Sequence, residues 1–370
     1  MGLIRTLLAL CVVVFHSYSV GGYGFVGGKV AVQSFYLISG FYMALILNEK
    51  YYGERFSYRN FITSRLLRIL PGYFFVLALS FLVSAAGLFF WNNPYYFGMF
   101  VPHWEHLNWA TRILLISENF LLLGQDWLFF LKVNFQDGSL SLTAKAFFEK
   151  QPLIFNSFMF VPQAWSLSLE ICFYLLAPFI IRSKMHWQII LVAASLALRY
   201  YLIKTNSWRY DPWTYRFFPN EIAFFVSGAL LYPIYLRIKN FRYSGIIGKY
   251  SQLFLILLIL LYDRIKIDEY NRCWYFYGIL FLSLPFVFCN CRNSKTDRLI
   301  GELSFPIYLI HHLIMFILKQ YFWTHTQHMA WFGVSCVALT IPAAWLFYRY
   351  FIVGFDNYRY RITLQKTVTD

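Results

Sequence analysis

The chain has 370 residues, of which 59% are hydrophobic, 22% aromatic and only 13% charged, with a mean hydropathy of +0.52. That is too apolar for a soluble domain of this size, and the sequence reads as a polytopic membrane protein. The formal net charge of +15 does not point to nucleic acid: no basic run with interleaved aromatics stands in a soluble segment, and the question becomes on which side of a membrane the cations lie.

Apolar stretches that approach a ~30 Å hydrocarbon core fall at approximately 3–20, 30–48, 69–90, 164–181, 186–203, 217–236, 250–263, 273–289, 301–319 and 330–352. The first lacks a small-residue cleavage site after its apolar run, since Gly21-Gly22 leads into Tyr23, so it is kept as a span. The weakest is 250–263, which needs Ile246, Ile247 and Gly248 to reach full length. Residues 108–124 could be an eleventh span, but loop charge argues against it. Cations gather in alternate loops, at Lys50, Arg55, Arg59, Arg65 and Arg68, at Arg182 and Lys184, at Arg237, Lys239, Arg242 and Lys249, at Arg292, Lys295 and Arg298, and at Arg359, Arg361 and Lys366. All lie on one side if ten spans cross and 108–124 does not. By the positive-inside rule both termini are then cytoplasmic.

The fold class expected is therefore all-α, a membrane helix bundle of about ten transmembrane helices. One transmembrane domain covers 1–352, with 91–163 as a long extracytoplasmic loop and 353–370 as a cytoplasmic tail. Trp91, Tyr95, Tyr96, Trp104, Trp109 and Trp127 make that loop aromatic, and such a loop packs on the membrane surface. No repeat at a fixed period is present. The six cysteines show no CxxC spacing and read as packing residues, not as a disulfide framework.

Polar groups inside these spans are expensive and so informative. Arg5 and His16 are eleven residues apart, about three helical turns, which sets both on nearly one face roughly 16 Å apart, with the imidazole at mid-depth. Read from the residues alone, they suit chemistry or an anchor and a structural histidine about equally. Ser39 and Gly40 read as helix packing, whereas Gln33, at the outer end of the second span, suits packing and contact with a polar substrate equally. Arg65 and Arg68, at i and i+3 before Pro71, present two forks on one face; these fit a phosphate or pyrophosphate, or an anionic lipid headgroup. Glu170 follows Trp165 and Ser166 into the fourth span and needs a cation, an arginine or histidine from another span, if it is to stay ionised. Arg216 and Glu221, five apart, are a poor helical pair, so that one of them reaches elsewhere. In the ninth span Tyr308 and His311 share a face while His312 points away, which favours a structural role for His312. These histidines lack HExxH spacing and nearby acidic ligands, and no metal site is expected.

Taken together and in order, these segments resemble acyltransferase family 3, bacterial membrane enzymes that O-acetylate surface polysaccharides and other extracytoplasmic sugars. Arg5-(ten residues)-His16 is similar to the family's Arg/Lys-x10-His motif, and VAVQSFYLISGFYM to its second-span segment. Arg65-x-x-Arg68 before a proline, Trp165-Ser166-Leu167-x-x-Glu170-x-x-Phe173-Tyr174, and SFPIYLIH ending at His311 are similar to three more. The likeness runs over essentially the whole chain. Members often carry an extra SGNH esterase-like domain; this chain stops at Asp370 without a Gly-Asp-Ser block, which implies a stand-alone enzyme or one served by a separate extracytoplasmic partner.

What the resemblance implies is an O-acetyltransferase of the bacterial cytoplasmic (inner) membrane, working among membrane lipids. It would move an acetyl group from cytoplasmic acetyl-CoA, the acyl donor rather than a resident cofactor, to a hydroxyl of an outer-side or lipid-linked glycan of the polysaccharide or O-antigen type. Arg65, Arg68 and Arg5 would hold the CoA phosphates. His16 would be the general base or be transiently acylated, with Glu170 orienting it. Trp165, Ser166, Tyr308, His311 and Gln33 would face the acceptor. The rival reading is a secondary transporter or glycolipid flippase with His16 and Glu170 as a proton relay, against which stands the lack of internal repeats and paired broken spans.

Overall fold

A computed structural model of the chain describes residues 1–53, 56–91, 96–134, 136–142, 158–205, 211–324 and 331–359. Arg55, Tyr95, Arg361, Lys366 and the tail from 360 onward lie outside the described residues.

The secondary structure is almost entirely helical, as apolar segments of this length require where a backbone N–H or C=O cannot be given to water. The helices are α1 Gly2–Ser17, α2 Gly27–Glu49, α3 Tyr58–Trp91, α4 Phe97–His103, α5 Trp109–Leu121, α6 Trp165–Arg182, α7 Met185–Thr205, α8 Phe218–Ile238, α9 Ser244–Leu261, α10 Glu269–Cys291, α11 Lys295–Glu302, α12 Ser304–Thr324 and α13 Phe332–Phe347. A two-stranded hairpin, β1 Leu131–Val133 against β2 Leu140–Leu142, pairs Leu131 with Leu142 and Val133 with Leu140. Among the described residues nine helical segments are long and apolar enough to cross a membrane. They correspond in order to the second through tenth expected spans. The weak seventh span gains Ile246, Ile247 and Gly248 and runs Ser244–Arg264. The tenth runs to Arg359, past the expected boundary at 352.

Two expectations need correction or refinement. Helix α1 ends at Ser17, so its 16 residues extend only about 24 Å, and His16 stands in the last turn instead of mid-depth. Helix α5 has 13 residues, about 20 Å of helix, which is too short to cross and agrees with its placement in a non-crossing loop.

The chain forms two compact units. One comprises Met1–Phe61, Ala177–Val192 and Ala223–Asp370. Within it α1 packs against α2, α9, α11, α12 and α13, and Ile4, Leu8, Ala9, Cys11, Val12 and Val13 have almost no exposed surface. A short helix surrounded in this way can be apolar on most of its circumference. Met1 supplies no side-chain cap, so the first turn takes its cap from elsewhere: the Asp297 carboxylate accepts the Gly2 and Leu3 N–H groups at 2.7 and 3.0 Å. An anion there also complements the helix dipole. Gly21 and Gly22, at φ of 59° and 80°, make the turn that reverses the chain between Val20 and Tyr23, a left-handed pair that glycine adopts without steric cost. Elsewhere in the unit, Gly40 of α2 lies against the Phe225 carbonyl and Gly228 of α8 against the Leu37 carbonyl. This reciprocal glycine contact bears out the packing reading of Gly40.

The second unit comprises Ile62–Leu176 and Ala193–Ile222. Its polar groups are paired across elements. Arg199 of α7 donates to the Glu221 carboxylate at 2.6 Å and to the Thr214 and Asn220 carbonyls, while Arg216 makes a two-pronged contact with Asp211 at 2.8 and 2.9 Å. Arg216 and Glu221 thus each bond a different partner, as their spacing suggested. The described parts of the 91–163 loop are anchored by hydrogen bonds. Asn119 of α5 donates to the Leu115 and Phe158 carbonyls and accepts the Phe160 N–H, and Gln125 donates to the Tyr73 hydroxyl of α3 at 2.8 Å.

Candidate functional site

The residues expected to carry chemistry collect into two clusters, one in each unit.

In the first unit the last turn of α1 meets α12, and three imidazoles come together. The His16 ring lies 5.5 Å from that of His311 and 4.6 Å from that of His312, and the latter two are 4.6 Å apart. One nitrogen of each lies within 4.8 Å of those of the other two. Here the expected direction of His312 is corrected. Residues 311 and 312 differ by about 100° around their helix, yet both rings turn to His16, because His16 packs over the boundary between those two directions.

His311 is fully buried, and its Nδ1 lies 2.7 Å from the Tyr308 carbonyl oxygen. A carbonyl only accepts, so Nδ1 carries the proton and Nε2 carries the lone pair. That Nε2 is buried without a hydrogen-bond partner. The Tyr308 ring sits 5.9 Å from the His311 ring, so that of the two residues expected on the acceptor side His311 lies beside His16 and Tyr308 beside His311. Arg5 is half-buried on the same helix, its guanidinium 5.9 Å from the Tyr42 ring.

Gln33, expected to meet the acceptor, is fully buried, and its Oε1 accepts the Tyr277 hydroxyl. A side chain with no exposed surface that ties α2 to α10 is a helix-to-helix link, and it is withdrawn as a sugar contact.

In the second unit Glu170 of α6 accepts a hydrogen bond from Tyr174, one turn on. The charges of Glu170, Arg65 and Arg68 all act on that tyrosine hydroxyl. Two cations of α3, the Arg-x-x-Arg pair, therefore lie within electrostatic reach of the hydroxyl that Glu170 holds. Tyr174 is thus one partner of Glu170, and it lies on the same helix. Arg65 is buried and Arg68 half-buried, more enclosed than a surface anchor. Tyr174 was in view in the sequence as part of the Trp165–Tyr174 segment, and its spacing of four from Glu170 was the signal that could have assigned it.

At the start of α6, Trp165 and Ser166 are both buried. The Arg216 guanidinium lies 4.1 Å from the Trp165 ring and 3.8 Å from that of Phe129, and Ser166 donates to the Gln163 carbonyl. Ser168 donates to Asp126 at 2.6 Å and accepts the Gly124 N–H. Burial raises the Asp126 carboxyl to about 6 against the lowering effect of Ser168, and burial together with the Asp126 charge raises Glu118 to about 7. These two loop carboxylates were not singled out in the sequence, since nothing in their spacing distinguishes them from solvated acids.

Both clusters fall inside the stretch matched by a known family. The family model described as an acyltransferase domain covers residues 1–349, from the first turn of α1 to beyond α13. The chain belongs to acyltransferase family 3. It is thus a multi-pass membrane protein with an acyltransferase domain, as its helical bundle and motif order implied. Over 174 residues it is 29% identical to an uncharacterized protein of Aquifex aeolicus (strain VF5), a match that covers 43% of this chain and 72% of that one. No solved structure matches it. Within that domain lie His16, packed against the rings of His311 and His312, and the enclosed pair Arg65 and Arg68.

Proposed function

We propose that this acyltransferase moves an acetyl group from cytoplasmic acetyl-CoA to a hydroxyl of an extracytoplasmic or lipid-linked sugar in the bacterial inner membrane. The observation that carries the reading is the placement of His16, in the last turn of α1, against His311 and His312 of α12 within a chain of this family.

In the proposed step the neutral His16 imidazole takes the proton of the acceptor hydroxyl as its oxygen attacks the thioester carbonyl. A carbon–oxygen bond forms; on collapse of the tetrahedral intermediate the carbon–sulfur bond breaks. The CoA thiolate leaves and the proton on His16 goes to the sulfur, restoring the imidazole. Arg5 lies about 16 Å along α1 from His16 by helix rise, a span comparable with an extended pantetheine arm. That geometry supports Arg5 as a cation toward the donor's phosphates. Arg65 and Arg68 suit phosphates by charge and fork geometry, and Glu170, bonded to Tyr174, would be the acidic group that steadies these guanidiniums. Tyr308 offers an aromatic ring of the kind that suits a sugar, whereas Trp165, stacked under Arg216, and Ser166, bonded to the Gln163 carbonyl, are buried and would act by positioning. The family match supports acyl transfer over the transporter alternative.

The test is a mass-spectrometric comparison of surface glycans from cells expressing the wild type and His16→Ala at equal membrane abundance. An acetyl-sized, base-labile increment present only with the wild type is expected. Equal modification by both proteins removes His16 from the chemistry.

A further inference from the structure

The three-imidazole cluster has a property that acyl transfer does not use. A general base needs one imidazole; here three converge, from two helices, with one nitrogen of each within 4.8 Å of the others. A tetrahedral ion with metal–nitrogen bonds of ~2.1 Å brings its ligand atoms to ~3.4 Å from one another. The rings need to close by little more than an ångström, and His16, exposed, and His312, half-buried, have the room to turn.

His311 supplies the independent observation. Its Nδ1–H is held by the Tyr308 carbonyl at 2.7 Å, and its buried Nε2 is left with a lone pair and no hydrogen-bond partner. A backbone carbonyl on one ring nitrogen is the usual second-shell arrangement of a histidine that ligates through the other. An orphaned buried acceptor of this kind costs free energy unless something occupies it.

We infer that His16, His311 and His312 form a site for one divalent cation of the zinc type, and that occupancy of this site and acyl transfer exclude one another. Three neutral imidazoles select zinc and its borderline neighbours over magnesium or calcium, which prefer oxygen. Among the described residues the set brings no carboxylate to compensate the charge, which suits a reversible rather than a permanent metal. Exclusion follows from electron-pair counting and rests on the reading of His16 as the base: the lone pair that takes the hydroxyl proton is the one that binds the ion.

The full-length protein, purified in detergent, is dialysed against buffered zinc chloride and its bound metal quantified. The same is done with His16→Ala, His311→Ala and His312→Gln. Binding of one zinc per chain is expected, weakened at least tenfold by each substitution, and cobalt(II) in place of zinc should give the visible bands of a tetrahedral site. If His311→Ala does not fold, His312→Gln, at a half-buried position, carries the comparison. No zinc on the wild type, or retention that none of the substitutions alters, overturns the site. In the transfer assay zinc should inhibit the wild type, and the concentration needed for half inhibition should rise at least tenfold in His312→Gln relative to that variant's own zinc-free rate. Zinc bound at the cluster without inhibition, or with stimulation, overturns the exclusion. Absence of acyl transfer under all conditions would sink the reading of His16 as the base but leave the dialysis result standing.

Discussion

The hydrogen bond between His311 Nδ1 and the Tyr308 carbonyl, at 2.7 Å, decides which nitrogen His311 can offer to its surroundings. The chemistry of the site therefore depends on backbone geometry one turn earlier in α12. His311→Asn tests this, because an asparagine amide can keep the bond to the Tyr308 carbonyl while removing Nε2. We expect a stably folded variant whose transfer rate falls toward that of His16→Ala. The latter should lose about 10²–10⁴ in rate, the contribution of a general base, with normal membrane insertion. Single-turnover rates set beside thermal melting in detergent separate the two effects; wild-type rates in His311→Asn would show that Nε2 has no part in the reaction.

Arg65 and Arg68 are expected to act through donor affinity. Each charge-assisted contact to a phosphate is worth about 1.5–3 kcal/mol, so either alanine substitution should weaken acetyl-CoA binding about tenfold to a hundredfold. Tyr174→Phe, which deprives Glu170 of its hydroxyl donor, should lower the melting temperature and weaken donor binding less than the arginine substitutions do. Equilibrium binding of acetyl-CoA to the purified protein measures all three. Undiminished affinity in the arginine variants would return the pair to the role of a headgroup anchor.

Much of the bundle was legible in the sequence because membrane spans announce themselves by length and composition, and nine of the ten expected spans recur as long helices. The end of α1 was less legible: the apolar run continues through Val20, but the chain breaks at Tyr18, in a left-handed conformation at φ of 75°, and turns on Gly21 and Gly22. His16 thereby moves from mid-span to a helix end. His312 was misread because helical spacing assigns faces relative to one axis, whereas the ring of a third residue can lie across two neighbouring faces. The nearness of Arg65 and Arg68 to Tyr174, the hydroxyl bonded to Glu170, was invisible for a different reason. It joins α3 to α6 across more than a hundred residues of sequence, and no local period records such a contact.

The glycine crossing of α2 and α8 predicts its own sensitivity. A Cβ at Gly40 would lie 1.8 Å from the Phe225 carbonyl oxygen, and one at Gly228 would lie 1.9 Å from that of Leu37. These are backbone atoms that no rotamer change can move aside. Gly40→Ala and Gly228→Ala should each destabilise the first unit by about 1–3 kcal/mol or more, although alanine is otherwise the better helix former. Ser39→Ala, at a neighbouring position, provides the comparison. Melting temperatures of the glycine variants equal to that of Ser39→Ala would contradict the close crossing.

Glu118 and Asp126 give the outer loop a dependence on pH whose sign is set by their environment. Both carboxyls are raised, to about 7 and about 6, above ordinary values near ~4.3 and ~3.9. The folded loop thus holds its protons more tightly than the unfolded chain does. Below about pH 4 both states are protonated and neither is favoured; as pH rises from there toward 7, the unfolded form ionises first and stability is lost. Because the two charges act on each other, they titrate as a pair. Amide exchange across 118–126, corrected for intrinsic rates, should therefore show more protection at pH 5 than at pH 8. Glu118→Gln should flatten that difference and protect the loop at the higher pH, since it replaces a half-buried charge with a neutral amide. Protection that increases from pH 5 to pH 8 in the wild type would mean that these carboxylates are stabilised in their ionised form, against the burial and mutual repulsion that the structure gives them.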